Sequence, residues 1–207
     1  MADTKVEAVV SFIRNNRTFE VVSGYDALYN HMGATITDAV LQAGITYENV
    51  VKPRVEEVLR KYPDARTTSG FLRVLRQIGP EEVLRWHGPD KTDRIVALTE
   101  LLDSEGVQTE TEFTRWLDLP GSRERLLRLR GIGNKTVDYM GILVGKQAIA
   151  VDTHLFSFLD RAGARCKGYE EAKELLTQVA DELGIPCLTL DHSIWAFTAK
   201  QRTGRKP

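Results

Sequence analysis

Lys135 and Asp152 are the two side chains of this chain whose types and spacing could do covalent chemistry: an amine, then a carboxylate seventeen residues on. A deprotonated amine attacks electrophilic carbon, and a fixed carboxylate stabilises positive charge or accepts a proton. A free lysine, with an ordinary pKa of about 10.4, is almost wholly protonated near neutral pH, so its surroundings decide whether it reacts. A helix N-terminus near Asn134 disfavours the ammonium form, whereas an ionised carboxylate nearby favours it and also offers the proton an acceptor.

The residues that must position the amine run from Leu126 to Met140. Leu126, Leu127 and Leu129 fall on one face of a short helix, Gly131 and Gly133 permit positive φ, and a second helix starts near Asn134. Glycines flanking one apolar residue let a backbone approach a rigid partner, and the unpaired amides and positive dipole at the next helix start suit a phosphate. Such a turn reads no base edges, so its contribution is electrostatic, salt-dependent and indifferent to sequence. The same residues also fit a plain helix–turn–helix closed by a glycine C-cap. Lys135 likewise fits a solvated helix face, and Asp152 fits an N-cap for a helix over 153–162.

Taken together, Leu129-Arg130-Gly131-Ile132-Gly133-Asn134-Lys135-Thr136 and Ala150-Val151-Asp152-Thr153-His154 resemble the helix-hairpin-helix GPD superfamily of DNA glycosylases, in its endonuclease III and 8-oxoguanine glycosylase branch. The resemblance is close over about a quarter of the chain and extends in helix order over most of the rest. It implies an all-α fold of two helical lobes, with a helix-hairpin-helix motif and a cleft between the lobes. A six-helix barrel would span 45–150, with the hairpin near 126–144, and the second lobe would join 1–44 to 151–207.

The resemblance also assigns roles. Cleaving an N-glycosidic bond builds positive charge on deoxyribose, which Asp152 would stabilise. Lys135 would attack the anomeric carbon, form a Schiff base and allow β-elimination of the 3′ phosphate. Arg130, Gly131, Ile132, Gly133, Asn134 and Thr136 would grip double-stranded DNA carrying a damaged base or an abasic site. Tyr139 and His154 become candidates for the pocket, and Asp138 for its wall, although Tyr139 also fits a solvent-facing position, Asp138 a core one, and His154 a hydrogen-bonded structural residue on a helix face. A monovalent cation would be held by the backbone carbonyls of Leu127, Leu129 and Ile132. Two other readings stay open: a monofunctional glycosylase in which Asp152 activates water, and a noncatalytic DNA-binding module. Oxidised pyrimidine is the default lesion, ahead of 8-oxoguanine and mismatched thymine or uracil.

Removing a base from a duplex means flipping the nucleotide out and filling the gap. Here the chain departs from the resembling family, which carries a glutamine where Gly44 or Ile45 stands; Gln42 is the nearest substitute. Pro89, in His87-Gly88-Pro89-Asp90, replaces an intercalating aliphatic residue, though a plain interhelical loop explains that stretch equally. A second departure concerns the four-cysteine iron–sulfur cluster of those enzymes. Cys166 and Cys187 are the only cysteines, so no such cluster can be assembled and the expectation is no cofactor beyond the cation.

The formal net charge of -1 argues against a broadly basic DNA-binding surface, so distribution has to supply what the total does not. Arg123, Arg125, Arg128, Arg130 and Lys135 cluster at the hairpin, and Lys200, Arg202, Arg205 and Lys206 at the C-terminus, while acids gather in 97–118 and 170–182. No apolar run reaches the roughly 18 residues that cross a bilayer, and no basic-then-apolar leader opens the chain. The expectation is a monomer in the cytoplasm, on the nucleoid, with no membrane partner.

Apolar spacing near 3.6 predicts helices over 5–15, 26–32, 38–43, 48–62 and 71–78. Pro80 opens a helix through Trp86, Asp90 and Thr92 cap one reaching Leu102, and Thr109-Glu110-Thr111-Glu112 has the form of a capping box before Phe113–Leu117. Further helices cover 153–162, 168–183 and 189–200. Thr18–Val22 reads either as a strand or as an extended linker.

Overall fold

The computed structural model describes residues 2–22 and 28–203, with side-chain surroundings for 4–22 and 28–199. The described residues form helices joined by turns, with no strand among them. Helix α1 spans Ala2–Asn15; α2 spans Met32–Leu41; a π-helical turn, Tyr47–Val51, runs into α3, Lys52–Lys61. A 3-10 turn, Pro63–Arg66, leads to α4, Thr68–Ile78, followed by α5, Pro80–Leu84, and α6, Pro89–Ser104. Next come α7, Glu110–Leu117, α8, Ser122–Leu127, and α9, Asn134–Leu143. The chain ends with α10, Thr153–Arg161, α11, Tyr169–Leu183, and α12, Cys187–Thr203. Two compact units result, one from the described residues of 1–26 and 147–207, the other from those of 27–146.

In the 27–146 unit α2 is the central element, because all ten of its residues are buried. A helix that is apolar on almost every side can lie only inside a core. Its Ile36, Val40 and Leu41 join Val55, Phe71, Leu75, Leu98, Phe113 and Met140, drawn from the helices around it. Close approach is possible at Gly33, where a methyl group would stand 2.9 Å from both Ala65 Cβ and the Phe71 ring. The polar residues of α2 stay inside by bonding: Thr37 donates to Gly33 O at 2.6 Å and Thr35 donates to the Glu110 carboxylate.

The start of α2 is determined by tertiary contacts. Sequence periodicity places a helix over 26–32; residues 26 and 27 lie outside the described residues, and Leu28–His31 is non-helical. The buried Glu110 carboxylate accepts the amides of Asn30 at 3.0 Å and His31 at 3.3 Å, which removes these donors from helical pairing. His31 is the N-cap: its Nδ1 accepts the Ala34 amide at 3.2 Å while its Nε2 donates to Tyr62 O at 3.0 Å. Burial lowers its pKa, so the ring is neutral in this role. The capping box on α7 forms, with Thr109 and Glu112 exchanging side-chain and backbone bonds.

In the other unit α1 packs on α11, and α10 and α11 pack on α12. The core is built around Phe158, whose ring meets Phe12 at 5.4 Å, Phe19 at 5.8 Å and Phe197 at 5.9 Å. Thr18–Val22 is a turn followed by extended chain and not a strand: the Phe19 amide closes the turn on Asn16 O at 2.9 Å, while the Thr18 amide goes to Asn16 Oδ1 at 3.1 Å and the Val22 amide to Ser193 Oγ at 2.9 Å. The expected basic cluster at the C-terminus lies outside the described residues at Arg205 and Lys206, as do the side chains of Lys200 and Arg202.

Glu110→Ala strands three donors at the head of α2, the buried His31 amide and Thr35 hydroxyl and the part-buried Asn30 amide. We expect a loss of about 3 kcal/mol or more of stability in urea unfolding, with an unchanged m-value.

Candidate active site

The predicted hairpin forms from α8, the turn 128–133 and α9. Gly131 has φ +80, a conformation that disfavours any side chain, and the Arg94 guanidinium covers it, with Nη2 2.0 Å from where a methyl group would sit. Arg94 Nε also donates to Arg130 O at 3.1 Å, so α6 braces the turn. Gly133 departs from expectation: it is extended, at φ -113, because it serves as the N-cap of α9. It offers no side-chain cap, and a methyl group there would meet nothing within 4 Å, so the start of α9 is open to an approaching backbone. The two helices are joined by Arg123, which donates to Asp138 at 2.8 and 3.3 Å and to Asn134 Oδ1 at 3.1 Å.

The cations that cluster here in sequence divide in space. Arg123 pairs with Asp138, and Arg125 pairs with Glu105 while lying over Trp116. Arg128 and Arg130 are exposed. Ile132 and Thr136 are buried, so the packing takes both side chains; Ile132 leaves only its backbone at the turn, and Thr136 lies within α9. The basic face is therefore Arg128 and Arg130, with Arg94 beside them.

Lys135, on the first turn of α9, points into a polar cluster. Its amine donates to Gln42 Oε1 and lies 4.6 Å from the centre of the Tyr139 ring, a cation–π contact. Beneath that ring is Asp38, wholly buried in the middle of α2. Three phenols donate to its carboxylate: Tyr29 at 2.7 Å and Tyr47 at 3.4 Å to Oδ2, and Tyr139 at 3.3 Å to Oδ1. Burial pushes the Asp38 carboxyl up to about 6, while the three hydroxyl bonds and the Lys135 charge pull the other way. Burial, then the Asp38 charge, raises the pKa of Tyr29 strongly and that of Tyr47 to about 12, so both remain protonated donors.

Gln42 closes α2 as its C-cap. With Oε1 on Lys135, its buried Nε2 makes no hydrogen bond. Lys91 of α6 caps the same helix end, donating to Val40 O at 2.8 Å, Leu41 O at 3.3 Å and Ala43 O at 2.8 Å. Burial, then repulsion from Arg94 and Lys135, lowers its pKa to about 8. Pro89, the second gap-filling candidate, is an exposed first residue of α6.

In the other unit Asp152 is the N-cap of α10, its Oδ1 accepting the amides of His154 at 2.7 Å and Leu155 at 3.1 Å. A carboxylate held by two amides is oriented while Oδ2 keeps its lone pairs for other partners. His154 Nδ1 lies 3.0 Å from the Thr198 hydroxyl, linking α10 to α12. Asp191 accepts the Ala150 amide at 2.8 Å and so steadies the strand of chain leading to Asp152. His192 stacks on Trp195 at 6.0 Å, and burial lowers its pKa. Cys166 and Cys187 are free thiols, raised by burial. Among the described residues no group of three or more His, Cys, Asp or Glu could hold a metal ion.

Asp38, Tyr29, Tyr47 and Arg94 escape sequence reasoning. The only available signal is a lone carboxylate inside the apolar run from Met32 to Leu41, which reads as a helix start when the helix is drawn over 38–43. Tyr139 and Gln42 are anticipated, although as pocket and gap-filling residues and not as partners of Lys135.

Residues 6–199 match the model of a family described as a domain of unknown function, DUF8548. Among solved structures, the chain is similar to the H. pylori 3-methyladenine DNA glycosylase MagIII, bound to 1,N6-ethenoadenine, with a TM-score of 0.60 at 17% sequence identity. The match covers 97% of this chain and 98% of that one. At that identity the likeness establishes the all-α glycosylase fold.

A carboxyl raised from 3.8 to about 6 favours the folded state fully below pH 3.8, and that contribution is lost as pH rises through 6. Asp38→Asn is therefore expected to stabilise the protein at pH 8 by roughly 2–3 kcal/mol, the gain vanishing near pH 4. Urea unfolding at the two pH values checks this.

Proposed function

The chain belongs to the DUF8548 family, and from the site it carries on a glycosylase fold we propose that it is a DNA base-excision glycosylase with Schiff-base AP lyase activity. One observation carries the reading: a lysine amine on the first turn after an open, glycine-built hairpin, half-buried and held by Gln42 and Tyr139. A surface lysine with no task would be solvated instead.

In this reading the hairpin binds a phosphate of double-stranded DNA through backbone amides, and Arg128, Arg130 and Arg94 supply the local positive charge. Asp152, oriented by two amides, stabilises the oxocarbenium-like sugar as the damaged base departs. Lys135 leaves Gln42, gives up a proton to solvent and bonds through its nitrogen to C1′ as the bond from C1′ to the base breaks; cleavage of the C1′–O4′ bond, with a proton taken up by O4′, opens the sugar ring to the Schiff base, and removal of a C2′ proton expels the 3′ phosphate. Leu129 O accepts one amide, from Ile132 at 3.0 Å, and its second lone pair suits a monovalent cation shared with the carbonyls of Leu127 and Ile132. Such an ion would add positive charge beside the phosphate. The enzyme acts as a monomer on the nucleoid, and no described helix is long and apolar enough to cross a membrane.

The bond from Lys135 to Gln42 favours a second reading, a monofunctional glycosylase in which that amine stays docked and Asp152 activates water. The likeness to a glycosylase bound to ethenoadenine adds alkylated purines to the lesions worth testing, beside oxidised pyrimidine, 8-oxoguanine and mismatched thymine or uracil.

Borohydride added to the protein with an abasic duplex should give a covalent adduct that disappears in Lys135→Ala; absence of any adduct in the unaltered protein rules out the lyase. Base release without trapping from a lesion-bearing duplex supports the monofunctional reading. Replacing Arg128 and Arg130 by alanine should weaken duplex binding alike for all sequences and reduce the salt slope by about 1 each, read by fluorescence anisotropy between 50 and 200 mM salt.

A further inference from the structure

Asp38 has no role in the proposed reaction, yet it is the most deeply buried carboxylate described in its unit. It lies in the middle of a fully buried helix, where an ionised carboxylate opposes folding. Ala, Val or Leu would pack there with less penalty. Three tyrosines from three different segments converge on it: Tyr29 from the chain before α2, Tyr47 from the π-helical turn and Tyr139 from α9. Tyr139 is the connection outward, since its hydroxyl is on Asp38 and its ring face carries the Lys135 amine.

We infer that Asp38 is a positioning residue for Lys135: when ionised, it holds the amine as an ammonium docked on the Tyr139 ring. The inference rests on Lys135 as the working group of the site. Two physical effects act in the same direction. A phenol donating to a carboxylate is a more electron-rich ring and attracts a cation more strongly. The carboxylate also attracts the ammonium directly through a medium of low polarity, and the two charges are coupled. Opposing them at the same helix end is Lys91 of α6, whose positive charge and that of the Lys135 ammonium repel each other, while Arg94 in turn repels Lys91. Glu48 and Lys52, near Tyr47, are exposed and pair with each other. The Asp138 carboxylate further along α9 is taken by Arg123. At rest Lys135 is therefore a parked cation, and its conversion to a nucleophile requires that Asp38 be neutralised or that the amine leave the ring.

Reductive methylation of the DNA-free, full-length protein with formaldehyde and cyanoborohydride reads this directly. Labelling of Lys135 is measured by peptide mass spectrometry against the exposed Lys52. In Asp38→Asn the Lys135/Lys52 ratio is expected to rise about three- to tenfold at pH 7.5 and to match the unaltered protein at pH 5, where Asp38 itself is protonated. Tyr139→Phe, which keeps the ring and removes its bond to Asp38, should show a smaller rise with the same pH dependence. Ratios within about 1.5-fold of the unaltered protein in both variants would overturn the inference, and so would a rise equal at pH 5 and 7.5, which is the mark of a merely loosened structure. No DNA enters the assay, so its outcome is independent of trapping on an abasic duplex: lost trapping removes the lyase and leaves the Asp38–Lys135 coupling to be judged on its own data.

Discussion

Taking a carboxylate out of water is the constraint around which the 27–146 unit is organised. Asp38 is inside because α2 is inside, and α2 is inside because nearly every other residue along it is apolar. The desolvated acid then needs donors, and the three phenols that supply them draw the segment before α2, the π-helical turn and α9 onto one point. Lys135 comes with α9. The position of the amine is thus a consequence of how a buried carboxylate is satisfied on the adjoining helix α2.

A net charge of -1 is compatible with a DNA-binding surface because charge acts locally. Among the cations near the hairpin, Arg123 and Arg125 are occupied by Asp138 and Glu105, where they fasten α8 to its neighbours. Arg128 and Arg130 remain exposed, and α6 adds Arg94 from more than thirty residues upstream. The same bonds that rigidify the hairpin decide which charges face outward. Gly131 is bound into this arrangement, since its positive φ and the guanidinium over it leave no room for a side chain.

Periodicity located most helices, since burial of one face imposes a 3.6-residue rhythm on any surface helix. It failed where tertiary bonds override local preference. The helix over 26–32 gives way to non-helical chain at Leu28–His31 because Glu110, some eighty residues on, captures the amides. The segment 48–62 divides into a π-helical turn and α3, which places Tyr47 against Asp38. In α2 the buried face is the whole circumference, so rhythm is absent, and Asp38 resembled a helix start instead of a core acid.

What the sequence by itself determined is what depends on neighbours in the chain. This covers the all-helical class, the turn at Gly131, the start of α9 at Asn134 and the capping of α10 by Asp152, all set by backbone sterics and by bonds spanning a few residues. Two motif words with reactive residues in them were also legible, since chemistry dictates residue type. Only the tertiary structure decided which side chains surround the amine. Gln42 meets Lys135, and Asp38 meets the Tyr139 ring beside it, across roughly a hundred residues of chain, and that meeting follows from core packing and the desolvation of one carboxylate, which no local pattern encodes.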